Sequence, residues 1–235
     1  MKVAIMQPYL FPYIGYWQLI NAADKFVILD DVNYIMRGFI NRNRILLNGK
    51  PYMFSIPIKK ASQNKLIMDT ELNFSEKDKR KFLMTIKNTY QKAPYFHKVM
   101  PVIEQITDNP ETDLTSYIHY SIVQINQYLG INTEILLSSK IQKDNSLKAQ
   151  DRIIEICKKL QADIYINPCG GRLLYNHYAF EKEGMELFFL DTKSSCIRYK
   201  QYDEEFIANL SIIDVLMFND CDNVRNLLTK CEFNK

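Results

Sequence analysis

The sequence predicts an α/β fold with a mostly parallel central sheet, and three observations carry that reading. The opening stretch KVAIMQPYLFPYIGYWQLINAADKFVILDD runs as strand, loop, helix and strand, the order that starts a parallel α/β unit. The same grammar returns after Glu134, where short apolar runs alternate with an amphipathic segment. Polar residues also sit just past the ends of the apolar runs, where open α/β sheets bind ligands. The 235 residues suit one Rossmann-like α/β domain, 1–235, carrying a β-hairpin near the N-terminus and a helical subdomain over 75–130.

Each element has its own signal. Val3 to Met6 is an apolar strand that stops at Gln7-Pro8. Tyr13 to Ala23 reads as a helix, and Phe26 to Leu29 as a second strand ending in Asp30-Asp31. Asn48-Gly49, between RILL and PYMFSIPI, marks a two-residue hairpin turn with positive φ. Ile67 to Phe74 adds a further strand. Helices follow over 76–92 and 95–107, broken by Ala93-Pro94, and over Asp113 to Tyr128 with Asp113 or Thr112 as cap. Glu134 to Leu137 is a buried-type strand, Ser146 to Leu160 an amphipathic helix, and Asp163 to Ile166 the next strand. The turn Cys169-Gly170-Gly171 leads through a short helix to the strand Met185 to Leu190, and helices near 203–218 and 222–230 close the chain.

Composition excludes several classes. A net charge of +3 gives no argument for bulk nucleic-acid binding, so DNA is not an expected partner. The first apolar run is far too short for a signal peptide and no later run reaches spanning length, so a cytoplasmic protein with no membrane partner is expected. The five cysteines contain no C-x-x-C pair, which argues against a disulfide framework or a zinc site. Seven glycines form neither a P-loop nor a G-x-G-x-x-G run. Most of the fifteen tyrosines are packing residues; a minority can stack on a sugar or base.

Candidate site residues gather at the strand ends. Val32 to Met68 holds Arg37, Arg42, Arg44, Lys50, Lys59, Lys60 and Lys65 and no acidic residue, a candidate anion site. The lysines also read as charges protecting a hairpin edge. Arg42 and Arg44 read as functional, because arginine forks match phosphate oxygens two at a time. Of Asp30 and Asp31, one is expected in the site and one in a structural role. Gln7 and Tyr9 follow the first strand, and the Gln7 amide suits a neutral polar group. Ser139 ends another strand, and Asn167, Gly170 and Gly171 a third; hydroxyl, amide and glycine backbone all suit a phosphate or sugar. His177 is the general-base candidate, set against the alternative of a surface histidine. No two histidines share metal-ligand spacing, so no metal site is expected.

These residues bring a resemblance with them. The stretches VAIMQPYLFPYIGYWQLINAADKFVILDDV, FINRNRI with the NG hairpin after it, YINPCGGRLLY and NLSIIDVLMFN resemble the WbqC-like protein family over nearly the whole chain. The resemblance implies a role beside bacterial surface-polysaccharide (O-antigen, lipopolysaccharide) gene clusters, as a transferase that modifies an amino sugar on a nucleotide carrier. N-aminoacylation of the sugar amine, such as glycyl transfer, is the specific form it implies. A more distant similarity, to adenylyl-transferring α/β enzymes such as pantothenate synthetases, rests on the strand–loop–helix start and on Ser194-Ser195-Cys196-Ile197-Arg198. The histidine expected after the first glycine is absent, since Tyr16-Trp17-Gln18 follow Gly15.

Three functions compete at this point. In the first, Arg42 and Arg44 hold a diphosphate, Asp30 or Asp31 orients or deprotonates the sugar ammonium, and Gln7 and Asn43 position donor or sugar. The donor is then an amino acid activated by ATP, or an aminoacyl-tRNA. The second is a non-catalytic sugar-nucleotide or RNA-binding module of a biosynthetic complex. The third is a nucleotidyltransferase-like ligase with Mg²⁺ on Asp30 or Asp31 and ATP near Ser139 and Ser195.

Overall fold

Alternate residues along the central strands face opposite sides of one sheet, and each side is apolar. In β1 (Lys2–Met6), Ala4 belongs to one buried cluster while Val3 and Ile5 belong to another. In β2 (Lys25–Ile28), Phe26 and Ile28 face the first cluster and Val27 the second. This period of two with both faces apolar is the signature of a strand covered on both sides. The computed structural model describes residues 1–202 and 205–235.

The sheet runs β5 (Glu134–Leu137), β2, β1, β6 (Ile164–Pro168), β7 (Glu186–Thr192) and β8 (Cys231–Asn234). Every pairing is parallel except β7 with β8. The chain moves outward from β1 to β2 and β5, then crosses back to β6 on the other side of β1. The topological switch therefore lies between β1 and β6, where such sheets open a ligand crevice at their C-terminal ends.

The first face carries α1 (Ile14–Ala22), α2 (Glu76–Tyr90), α3 (Phe96–Thr107), α4 (Leu114–Leu129), α7 (Ile212–Phe218) and α8 (Cys221–Leu228) in one continuous cluster. The second face carries α5 (Ala149–Lys159) and α6 (His177–Glu181). Helix α1 is buried from Ile14 to Ile20, including Gln18. The Gln18 amide donates to the Leu227 and Lys230 carbonyls at 3.0 Å, which ties α8 down over α1. Asp113 caps α4 as expected, accepting from the Ser116 N–H at 2.7 Å, and Ser75 and Asp78 form a capping box on α2.

The hairpin of β3 (Arg42–Leu47) and β4 (Lys50–Ser55) stands apart from the main sheet. Its turn is the expected one, with Asn48 at φ 51° and Gly49 at φ 69°.

The chain departs from the sequence reading in three places. Residues 67–74 form no strand; Ile67 and Met68 donate to Val32 and Asp30 while Leu72 donates to Thr112, so the segment changes partner too often to build a ladder. The helix expected over 203–218 starts only at Ile212, and positions 203 and 204 lie outside the described residues. Asn209 takes a left-handed φ of 57°, and Ser211 then caps the helix through the Ile213 N–H. β8 was not foreseen, because four half-polar residues on a sheet edge have no apolar alternation to read.

A buried carboxylate pins the first face together. Asp214 accepts from Tyr90 Oη at 2.8 Å, Tyr199 Oη at 2.7 Å and Gln201 Nε2 at 2.7 Å. Tyr90 Oη also accepts the Leu46 N–H at 3.1 Å, so the hub reaches the hairpin. Asp214→Ala leaves two hydroxyls and an amide without their acceptor, and should cost about 3 kcal/mol in urea unfolding. Burial raises the Asp214 pKa, and the Tyr199, Tyr90 and Gln201 donors offset this only in part. The native state thus holds this proton more tightly than the unfolded chain. Its contribution to stability should fall as pH rises through the carboxylate range, and Asp214→Asn should remove that fall.

Candidate functional site

The loop after β1 is shaped by one carbonyl. Phe11 adopts φ 43°, a left-handed conformation uncommon for a bulky residue. Its carbonyl accepts from Asn43 Nδ2 at 2.8 Å and from Ser211 Oγ at 2.7 Å. Asn43 Nδ2 also reaches the Leu10 carbonyl at 3.1 Å, and the Ile212 N–H donates to the Pro12 carbonyl at 2.9 Å. Asn43 is therefore buried and fully engaged, holding the loop against β3. Strand alternation sends Arg42 and Arg44 to the other face.

The two arginines then part. Arg42 Nε donates to the Gly38 carbonyl at 2.7 Å. Arg44 lies over the Phe39 ring at 5.9 Å and donates to the Asn209 carbonyl at 3.3 Å, while its buried Nε has no partner among the described residues. Arg44 lines a cavity of about 350 Å³ with Tyr9, Tyr13, Phe39, Thr192 and Ser194. The first turn of α1 presses against the end of β7 here: a Cβ on Gly15 would fall 2.7 Å from Thr192 Oγ1 and 2.5 Å from Tyr13 Cε2. Burial raises the phenol pKa of Tyr9, and burial with Tyr9 as neighbour raises that of Tyr13. Both keep their O–H donors at neutral pH.

A second cavity, of about 470 Å³, opens on the α5 side and is lined by Leu29, Asp31, Lys148, Gln150, Arg152 and Tyr175 among others. Asp31 pairs with Lys143 Nζ at 2.7 Å, with both side chains buried, and the Asp31 carbonyl accepts from Arg152 Nη1 at 2.8 Å. Burial works to raise the Asp31 pKa, but Lys143, the Ser138 hydroxyl nearby and Arg152 outweigh it and hold the pKa low. Asp30 lies deeper, its carboxylate oxygens taken by the Ser139 N–H at 2.9 Å and the Ser139 hydroxyl at 2.6 Å. An Mg²⁺ ion on Asp30 or Asp31 would have to displace Ser139 or Lys143, so neither carboxylate fits that ion as it stands.

The two cavities straddle the switch point. The first takes residues from the β1 loop and the end of β7, with β6 between them; the second takes residues from the end of β2 and the loop after β6, with β1 between them. Of the residues singled out from sequence, Tyr9, Asn43 and Arg44 line the first cavity and Asp31 lines the second. Gln7 is half-buried, and its carbonyl accepts from Tyr16 Oη at 3.0 Å. Asn167 is buried, accepts from Tyr165 Oη at 3.0 Å, and fills the space over Gly171, where a Cβ would meet its amide at 2.0 Å. Gly170 has open space around it, and His177 starts α6 with its ring edge-on to Phe189 at 5.6 Å. Thr192 was missed, although it lies just past an apolar run and the strand-end rule reaches it. Arg152 was missed because nothing local marks an arginine in the first turn of a helix as facing a strand end.

The whole-chain comparison now bears on these cavities. The model of the WbqC-like protein family matches residues 7–226. The chain belongs to the WbqC-like protein family. This WbqC-like chain is also 26% identical over 220 residues, 93% of each chain, to "Uncharacterized protein Rv1507c" of Mycobacterium tuberculosis (strain ATCC 25618 / H37Rv). No solved structure matches it. The family match takes in the Phe11 loop, both cavities and the Ser211 cap. No helix of its described residues is long and apolar enough to cross a membrane.

The Asp31–Lys143 pair makes an acid prediction. Because the folded pKa of Asp31 is lowered, its contribution is present above the ordinary carboxylate range and is lost as pH falls through the folded value. Lys143→Ala leaves a buried carboxylate unpaired and should cost about 3 kcal/mol at pH 7. Urea melts across acid pH should show that this cost shrinks as Asp31 protonates.

Proposed function

We propose that this chain is a transferase that modifies a nucleotide-linked amino sugar for surface polysaccharide, attaching an aminoacyl group to the sugar amine. The observation that carries the reading is the Arg44 cavity at the switch point. It combines the Arg44 guanidinium, the Thr192 and Ser194 hydroxyls, and the rings of Tyr9, Tyr13 and Phe39. A diphosphate suits the fork and hydroxyls, and a sugar or base suits the ring faces. The first-turn N–H groups of α1 add positive potential on the same side.

The second cavity supplies a place for a second substrate. Asp31, with its lowered pKa, is a weak base but a steady counter-ion, so its role is to orient an ammonium group rather than to deprotonate it. Holding two reactants on either side of β1 and β6 supports a transfer reaction through placement, which contributes up to about 7–11 kcal/mol in ideal cases. Calorimetry with UDP- and dTDP-amino sugars should show binding to the wild type and a loss of at least about tenfold in Arg44→Ala. Equal binding by the variant removes the reading. Mass spectrometry of the sugar nucleotide after incubation with amino acids, ATP-Mg²⁺ and charged tRNA should show an aminoacyl mass gain, and omitting ATP or tRNA in turn names the donor.

One observation favours a second reading, adenylyl transfer. Pro12 and Tyr13 at the start of α1 share one cavity with Thr192 and Ser194, as a phosphate-holding helix start and late hydroxyl turn would. Amino-acid-dependent exchange of labelled pyrophosphate into ATP should then occur. Its absence with every amino acid tried would exclude that chemistry.

A further inference from the structure

We infer that the C-terminal edge of the sheet docks on an anionic membrane surface: two loops bury apolar tips among the lipid headgroups, and basic side chains beside them meet the phosphates. The first loop follows β2. Its turn closes where the Gly38 N–H donates to the Ile35 carbonyl at 3.2 Å, and Arg42 Nε holds the Gly38 carbonyl at 2.7 Å. Ile35, Met36, Arg37 and Phe39 are left exposed around it. The second loop follows β6 as the 3-10 turn Cys169–Leu174. Leu173 there is 101% exposed, Leu174 70%, and Tyr178 shortly after it 71%. The loops are neighbours, since Asn33 of the first and Leu174 of the second line the same cavity. Apolar side chains held this far out in water, on adjacent loops, mark a surface that is covered in use.

Charge selects what covers them. Residues 32–68 and 168–180 carry the basic residues from Arg37 to Lys65 named above, then Arg172, and no Asp or Glu. Among the described residues only Lys59 of this set has an acidic partner, Glu71 at 2.7 Å. The flanking segments add Asp69, Asp144 and Asp151 but also Lys140 and Lys148, so the surplus stays. The whole chain is only +3, so its positive charge is concentrated at this edge. A second copy of the chain on this face would set like charge on like charge, because a two-fold contact pairs a patch with itself. The tips project from separate loops instead of lining one groove, which suits a deformable lipid surface. Shallow apolar burial joined to phosphate attraction is how proteins lie on anionic bilayers. The expectation of no membrane partner rests on the lack of a run of spanning length, which surface binding does not need. Phe39 also lines the Arg44 cavity and Leu174 the α5-side cavity, so docking brings both cavity mouths to the headgroups.

Docking stands on this surface alone and does not depend on the transferase reading. Flotation of the full chain with vesicles tests it, without any sugar nucleotide. Vesicles of equimolar phosphatidylcholine and phosphatidylglycerol should carry the protein in low salt, and high salt should weaken the association. Vesicles of phosphatidylcholine alone should carry at least about tenfold less. Leu173→Ser with Leu174→Ser should weaken binding to the mixed vesicles by at least about tenfold, and so should Arg37→Glu with Arg172→Glu. All four positions are exposed, so the melting curves of these variants should match the wild type. Met84→Ser, on an exposed position of α2 outside both loops, should bind as the wild type does. No flotation with the mixed vesicles, equal flotation with phosphatidylcholine alone, or indifference to either double substitution would overturn the inference. Concentration-dependent dimerisation in sedimentation velocity without vesicles, abolished by Leu173→Ser with Leu174→Ser, would also overturn it and give the face to a second copy.

Discussion

The Phe11 carbonyl is the interaction on which the Arg44 cavity depends. A bulky residue holds φ 43° only when neighbours over-determine it. Here the neighbours come from far along the chain: the Asn43 amide from the hairpin and the Ser211 hydroxyl from the start of α7. The Ser211 N–H returns to the Arg44 carbonyl at 2.8 Å, so three distant segments close into one knot. With that knot made, Arg44 stands beside Thr192 and Ser194. The hairpin has no ladder to the main sheet, so this knot, the Leu46 N–H bond to Tyr90 and the burial of Ile45 and Phe54 hold it in place.

Buried charge is handled in three ways. Asp30 is satisfied by one residue, Ser139, which joins the ends of β2 and β5. Asp214 is satisfied by two tyrosines and a glutamine, and holds α2, α7 and the hairpin together. Asp31 alone of the three lines one of the two cavities, where it is ion-paired with Lys143 and has the Ser138 hydroxyl nearby. A buried carboxylate costs free energy unless donors surround it.

The two cavities lie at the starts of helices on opposite faces of the sheet. Helix α1 starts at the first and α5 at the second, each with its N-terminus toward the C-terminal edge of the sheet. Two helix starts at one switch point place positive potential on both sides of the β1–β6 gap.

Much of the fold was legible in the residues because its signals are local. Apolar runs ending at Gln7, Asp30 and Asn167 marked strands, Asn48-Gly49 marked the hairpin, and Asp113 marked a helix cap, each through interactions within a few residues. The strand-end rule also brought Tyr9 and Asp31 into view as site candidates, and the acid-free basic stretch brought Arg44. Tertiary structure alone decided that Asn43 and Asp30 are held by other residues, that Arg42 turns back to Gly38, and that Arg152 and Thr192 line cavities. It also decided the edge strand β8 and the late start of α7. The reason is physical: propensity and periodicity act over one or two turns of chain, whereas which oxygen keeps a free lone pair depends on donors more than a hundred residues away, as Ser139 is from Asp30 with a separation of 109 residues.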